Sequence, residues 1–134
     1  MTAMTTNPVS PFVCDMNAIA AAHREQHIAA AMQVFRAVQT IQELPNGYAL
    51  RLPHETTLLM KTVEFMANER LCCPFLGLAV EIEPEGGPLW LRLTGRDGVK
   101  PFIKAEIGEA LNDTVAQAAN FRERTSGNGG QVLQ

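Results

Sequence analysis

The sequence predicts an α+β domain of two layers, a four-stranded, mostly antiparallel sheet with helices on its apolar face, in the order α-ββ-α-ββ-α. Three observations carry this. Three stretches repeat their apolar residues at helical spacing, two pairs of short runs alternate with period two, and Pro/Gly/Asn clusters separate the members of each pair. Strand order does not follow from these signals.

The first helix is expected from Asn17 or slightly later to about Phe35 or Val38. Alanine is abundant there, and Ile28, Met32 and Phe35 fall at i, i+4, i+7, with Ala31, Val34 and Val38 widening the stripe. Ile41 and Leu44 then precede Pro45-Asn46-Gly47, and Tyr48, Leu50 and Leu52 follow at period two. Asn-Gly between strand-like runs signals a hairpin, because both residues can adopt positive φ. A second helix fits Glu55 to Leu71, with Leu59, Val63 and Met66 on one face and Leu58, Thr62, Phe65, Glu69 and Cys72 on a neighbouring stripe. Pro74 disfavours helical geometry at Cys73, so this helix should end at Cys72-Cys73. Leu78, Val80 and Ile82, then Leu89, Leu91 and Leu93, alternate with polar neighbours across Pro84-Glu85-Gly86-Gly87-Pro88, a second hairpin. Gly95-Arg96-Asp97-Gly98 leads into a third helix with Val99, Phe102, Ile103, Ile107 and Leu111 as buried candidates and Pro101 in its first turn.

The chain has 134 residues, room for one domain at roughly 100–200 residues each. The reading assigns residues 1–13 to a flexible arm, 14–122 to the domain and 123–134 to a flexible tail. Eleven Lys and Arg against fourteen Asp and Glu leave a net charge of −3, with no basic block for phosphate, so no nucleic-acid partner is expected. No apolar run approaches the ~20 residues that span a bilayer, and no membrane partner is expected. The first residues lack a charged n-region and an apolar h-region, and the expected location is cytoplasmic. The three cysteines are accordingly read as reduced thiols, since an odd number closes no complete disulfide framework.

The chemistry concentrates in Glu69-Arg70-Leu71-Cys72-Cys73-Pro74-Phe75. A helix that lasts to its end places Glu69 one turn from Cys72 and Cys73. Adjacent cysteines strain a mutual disulfide, whereas two close thiolates suit a soft ion such as zinc, copper(I) or mercury(II). Cys14, just ahead of the first helix, supplies a third sulfur if the arm folds back. Against this stands simple packing, because cysteine is often a small buried hydrophobe. The negative end of the helix and Glu69 both oppose a lowered thiol pKa, which disfavours a free thiolate nucleophile.

His23 and His27 have ligand-capable i, i+4 spacing but flank Arg24 and Glu25 rather than a His-Glu-x-x-His pattern; a partly exposed helix edge is expected. His54 reads as turn chemistry, the Gly95–Gly98 stretch as a bare turn, and Glu81 and Glu83 as a solvated strand face. Trp90, on a nominally polar strand face, suggests a protein partner or homo-oligomer surface. No Ser-His-Asp order, Walker loop or dinucleotide fingerprint occurs, so no catalytic residue is assigned and no organic cofactor is expected.

Glu69-Arg70-Leu71-Cys72-Cys73-Pro74-Phe75, together with Gly86-Gly87-Pro88-Leu89-Trp90-Leu91-Arg92-Leu93-Thr94-Gly95 and Gly98-Val99-Lys100, resembles a group of small bacterial proteins of unassigned function. Phe12-Val13-Cys14-Asp15-Met16 and Glu43-Leu44-Pro45-Asn46-Gly47-Tyr48 are similar to their pattern as well. The likeness covers residues 12–108, and such proteins sometimes accompany heavy-metal, particularly mercury, resistance. It implies that Cys14, Cys72 and Cys73 stand at the group's cysteine positions.

Three functions are carried forward. The first is a metal-binding protein holding a thiophilic ion on Cys14, Cys72 and Cys73, with Glu69 as oxygen ligand or outer-shell group, for sequestration, delivery or sensing. The second is a structural or interaction module with inert cysteines. The third, by mechanistic analogy, is an enzyme that cleaves an organometal with thiols and a proton from Asp15 or Glu69.

Overall fold

The computed structural model describes residues 10–110; the expected first residues of the arm, the end of the domain and the tail lie outside this range. A single 3-10 turn, Met16–Ala18, precedes α1 (Ala21–Arg36). Then come β1 (Thr40–Leu44), β2 (Gly47–Leu52), α2 (Thr56–Cys72), β3 (Gly77–Ile82) and β4 (Leu89–Thr94). A third helix, α3, runs from 99 and is described to 110, with Pro101 in its first turn. The four strands form one antiparallel sheet in the order β1-β2-β4-β3. The architecture is the expected α+β one.

Register explains the core. Leu50 pairs with Leu91 and Leu52 with Leu89, while Val80 faces Leu91 from the other side. Period-two alternation puts these on one face, where they join Val34, Phe35, Leu58 and Phe65 from α1 and α2 and Val99, Ile103 and Ile107 from α3. The opposite face is polar. There Arg92 pairs with Glu81 at 2.7 Å, and the Trp90 indole N–H donates to Glu83 at 2.8 Å. That bond accounts for an aromatic on the outer face, because a Trp N–H needs an acceptor. At the sheet's edge β3 has β4 as its one strand neighbour among the described residues, and Leu78 and Val80 are half-buried and Ile82 exposed.

Three local expectations are corrected. The first helix begins at Ala21, not near Asn17, because Asp15 caps a separate 3-10 turn by accepting the Asn17 N–H at 3.0 Å, and Ile19 is extended after it. Arg24 holds the break shut by donating to the carbonyls of Met16 and Ile19, 3.0 Å each. Second, the first hairpin turns at Pro45-Asn46, with Gly47 already paired to Leu44 and neither Asn46 nor Gly47 at positive φ. Gly47 serves another need, since a Cβ there would collide with the Leu93 carbonyl oxygen of β4. Glu85 and Gly86 supply the positive φ values, 61° and 76°, in the second hairpin. Third, the buried face of α1 is His27, Ala30, Val34 and Phe35, whereas Ile28 is 52% exposed. On α2 the stripe of Leu58, Thr62, Phe65 and Cys72 is buried, and Val63 is 50% exposed. Both helices are rotated so that His27 meets Phe65 and Glu69 across their interface, the rings stacked at 5.6 Å.

Candidate metal centre

The centre sits where α2 ends. Cys73 terminates the helix, its N–H bonded to the Glu69 carbonyl at 2.8 Å, and Pro74 prevents another turn. The final turn leaves the Cys72 carbonyl without a helical donor, and the Asp15 N–H takes it at 2.8 Å. This bond lays the segment 10–15 across the end of α2. Phe12 fixes it further, edge-on to Phe75 at 5.2 Å and beneath the Arg96 guanidinium at 4.2 Å, while Arg96 also donates to the Ser10 carbonyl.

The outcome is a cluster of donors. One ligand atom each from Cys14, Glu69, Cys72 and Cys73 lie within 4.8 Å of one another. Cys14 and Cys73 are joined in a disulfide, Cα to Cα 4.8 Å, and Cys72 is the free thiol. The expectation of three reduced thiols is thereby corrected. Docking of the segment brings Cys14 within disulfide range of Cys73, and an odd number leaves one sulfur over. In this state Cys14 and Cys73 have no thiol to offer an ion. The neighbours Cys72 and Cys73 are not bonded to each other, with sulfurs 3.8 Å apart.

Cys72 is 1% exposed. Its S–H faces the Glu69 carboxylate at 3.6 Å and the Glu69 carbonyl at 3.7 Å, with His27 Nε2 at 4.0 Å. Burial first, then the charge of Glu69, pushes its pKa up to about 12. The upward direction agrees with the expected effect of Glu69, while burial, the larger cause, lay outside that argument. Glu69 in turn accepts a 3.0 Å bond from His27 Nε2, so the hydrogen on a neutral His27 sits at Nε2. His27 Nδ1 is then a buried acceptor with no partner among the described residues.

Other candidates fall elsewhere. His23 is exposed, one turn from buried His27 but outside the cluster. Asp15 spends its carboxylate on the 3-10 turn and so lies apart from the proton-donor role weighed for it; Glu69 alone of that pair faces Cys72. His54 Nδ1 donates to the Gly87 carbonyl at 3.1 Å. One residue was misjudged by sequence reasoning and one missed: His27, expected on a partly exposed helix edge, is buried, and Glu106 was not singled out. His27 could have been found as the i, i+3, i+7 partner of Ala30 and Val34, and Glu106 on α3 approaches only through tertiary packing. The Glu106 carboxyl is held above its usual range by burial and by the charges of Glu109 and Glu69. Acidic groups thus crowd the mouth of the centre.

No helix among the described residues is long and apolar enough to cross a membrane. No family model, curated protein or solved structure matches the chain, so function is argued from the geometry of the centre.

Proposed function

We propose that the protein binds a thiophilic metal ion through Cys14, Cys72 and Cys73, with Glu69 as a fourth donor, and that the Cys14–Cys73 disulfide is its oxidised, metal-refusing state. The observation that carries the reading is the convergence of three sulfurs and a carboxylate within 4.8 Å. The 3.8 Å between Cys72 and Cys73 suits sulfurs that share one ion at ~2.3 Å each. Two electrons from a dithiol reductant convert the disulfide into two thiols. The segment bearing Cys14 is also held by the Asp15–Cys72 bond and by Phe12, so the third sulfur stays near the others after reduction.

Such a site prefers soft cations. Thiolate sulfur selects zinc, copper(I) or mercury(II) over magnesium or calcium. Each bound thiol must release its proton, and the cation offsets the negative charge of Glu69 and Glu106. His27, bonded to Glu69, orients that carboxylate as outer-shell partners of metal ligands do. Sequestration, delivery and sensing all use such a centre.

The test is a titration of mercury(II) and zinc into the protein before and after reduction with dithiothreitol, followed by sulfur-to-metal charge-transfer absorption. Reduced protein should take one ion per chain, and Cys72→Ser, Cys73→Ser protein should not. The rival reading is a staple that ties residue 14 to the end of α2, with Cys72 as packing. It gains if the reduced protein ignores both ions and Cys72 labels equally slowly with and without them.

A further inference from the structure

A bare ion needs donors and no empty space, yet a cavity of about 330 Å³ opens directly above the centre. Cys14, His27, Glu69 and Cys72 lie at one side of its lining. Ile28, Met32 and Phe35 of α1 and Phe102, Ile103 and Ile107 of α3 make its apolar walls, with Glu106 and Glu109 of α3 also in the lining. An apolar cavity of roughly 150 Å³ already holds a benzene molecule. The space here is therefore ample for a ring or a short alkyl chain. It also gives the apolar Ile28, 52% exposed on α1, a surface to line.

A second observation concerns a residue of the same wall. His27 is 4% exposed, lines the cavity, and has no partner for Nδ1 among the described residues. Buried polar groups in native proteins are nearly always satisfied, so a lone one marks a place where something else belongs.

We infer that the cavity receives the organic group of a monoorganometal cation, an aromatic or short alkyl substituent on a soft metal, whose metal is bonded by Cys72. The inference rests on the thiophilic reading of the centre and names its cargo. The step balances simply. The Cys72 S–H bond breaks, an S–metal bond forms, the anion previously on the metal leaves with the pair of electrons of its bond, and the proton passes to Glu69 or to water. A singly charged organometal cation on one thiolate is neutral, and a neutral adduct enters an apolar cavity without burying an unpaired charge. One thiol suffices for it. Cys72 is free while Cys14 and Cys73 are bridged, so the organometal binds in the disulfide state that refuses a bare ion.

The experiment uses the full chain with its disulfide closed. Phenylmercury(II) acetate and methylmercury(II) chloride are titrated in competition with iodide, a soft ligand that leaves the disulfide intact and holds both cations through the same kind of bond. The ratio of the two competition constants then reads the cavity. Phenylmercury should be preferred by at least about tenfold, the scale of burying a ring against a methyl group. Ala31→Leu, which fills the cavity from α1, should cancel the preference and leave methylmercury binding unchanged. Should that variant fold poorly, methyl resonances of Ile103 and Ile107 in the wild type report the ring instead, shifting with phenylmercury and not with methylmercury. Equal constants for the two probes, or unmoved Ile103 and Ile107 resonances, overturn the inference. Uptake of inorganic mercury(II) by reduced protein is separate, and its failure would instead overturn the underlying reading.

Discussion

Cys72 carries the sharpest residue-scale consequence, because it is buried as a thiol beside a carboxylate. Its pKa in the folded chain lies near 12, pushed there by burial and by Glu69, with Glu106 adding a smaller push. In the unfolded chain it returns to the ordinary thiol range of about 8.5. Between those values the unfolded state has lost a proton that the folded state keeps, so stability falls as pH rises. The contribution is complete below about pH 8.5 and gone once pH passes the folded value near 12. Urea midpoints measured from pH 8 to 11 should therefore decline more steeply for wild type than for Cys72→Ala, whatever the variant loses at neutral pH. Equal slopes would contradict the buried thiol. That the Cys72 pKa would not fall was foreseeable from Glu69, but its burial, the larger cause, was not. Nor was His27, since an i, i+4 histidine pair on an alanine-rich helix says nothing about which member meets another helix. Only the contact with Phe65 and Glu69, 42 positions away from His27 in the case of Glu69, decides it.

Glycines give the element-scale test, because two of them sit in opposite circumstances. At Gly47 the backbone of β2 runs against β4, and a methyl group would meet the Leu93 carbonyl oxygen. At Gly108, in α3, a Cβ meets nothing within 4 Å. Gly47→Ala should cost more than about 2 kcal/mol through the displaced strand, whereas Gly108→Ala should stabilise by about 0.5–1 kcal/mol through helix propensity. Thermal and urea unfolding of the two variants checks both signs. Element types and most boundaries were legible, since α2 and β4 carry their periods plainly in Leu58–Thr62–Phe65 and Leu89–Leu91–Leu93. The Asn46-Gly47 turn was misjudged for a physical reason. Glycine there answers to a neighbouring strand that local sequence cannot foresee. The burial of α1 was misassigned likewise, because Ile28 faces the cavity rather than packed protein.

For the whole molecule, the Cys14–Cys73 bridge closes a long loop, with a sequence separation of 59. The chain-entropy account assigns such a loop about 4 kcal/mol, and native links typically contribute about 2–4 kcal/mol. Reduction should lower urea stability by an amount in that range while the near-ultraviolet signal of Trp90 stays native, because Trp90 lies on the outer face of β4 with its indole N–H on Glu83. That the bridge existed was hidden from the sequence. Three cysteines permit three pairings, and only the docking of segment 10–15 over α2 selects one. The same docking gathers the cluster of donor atoms, so the motif Cys72-Cys73 hinted at soft-ion chemistry while the third sulfur depended on the fold.

Metal-edge X-ray absorption on the reduced protein loaded with one equivalent of zinc asks directly how many sulfurs surround the ion. Three scatterers at ~2.3 Å with one lighter atom beside them is the expected shell, falling to two in Cys14→Ser protein. A shell of nitrogen and oxygen alone, or one unchanged by that substitution, would contradict the account.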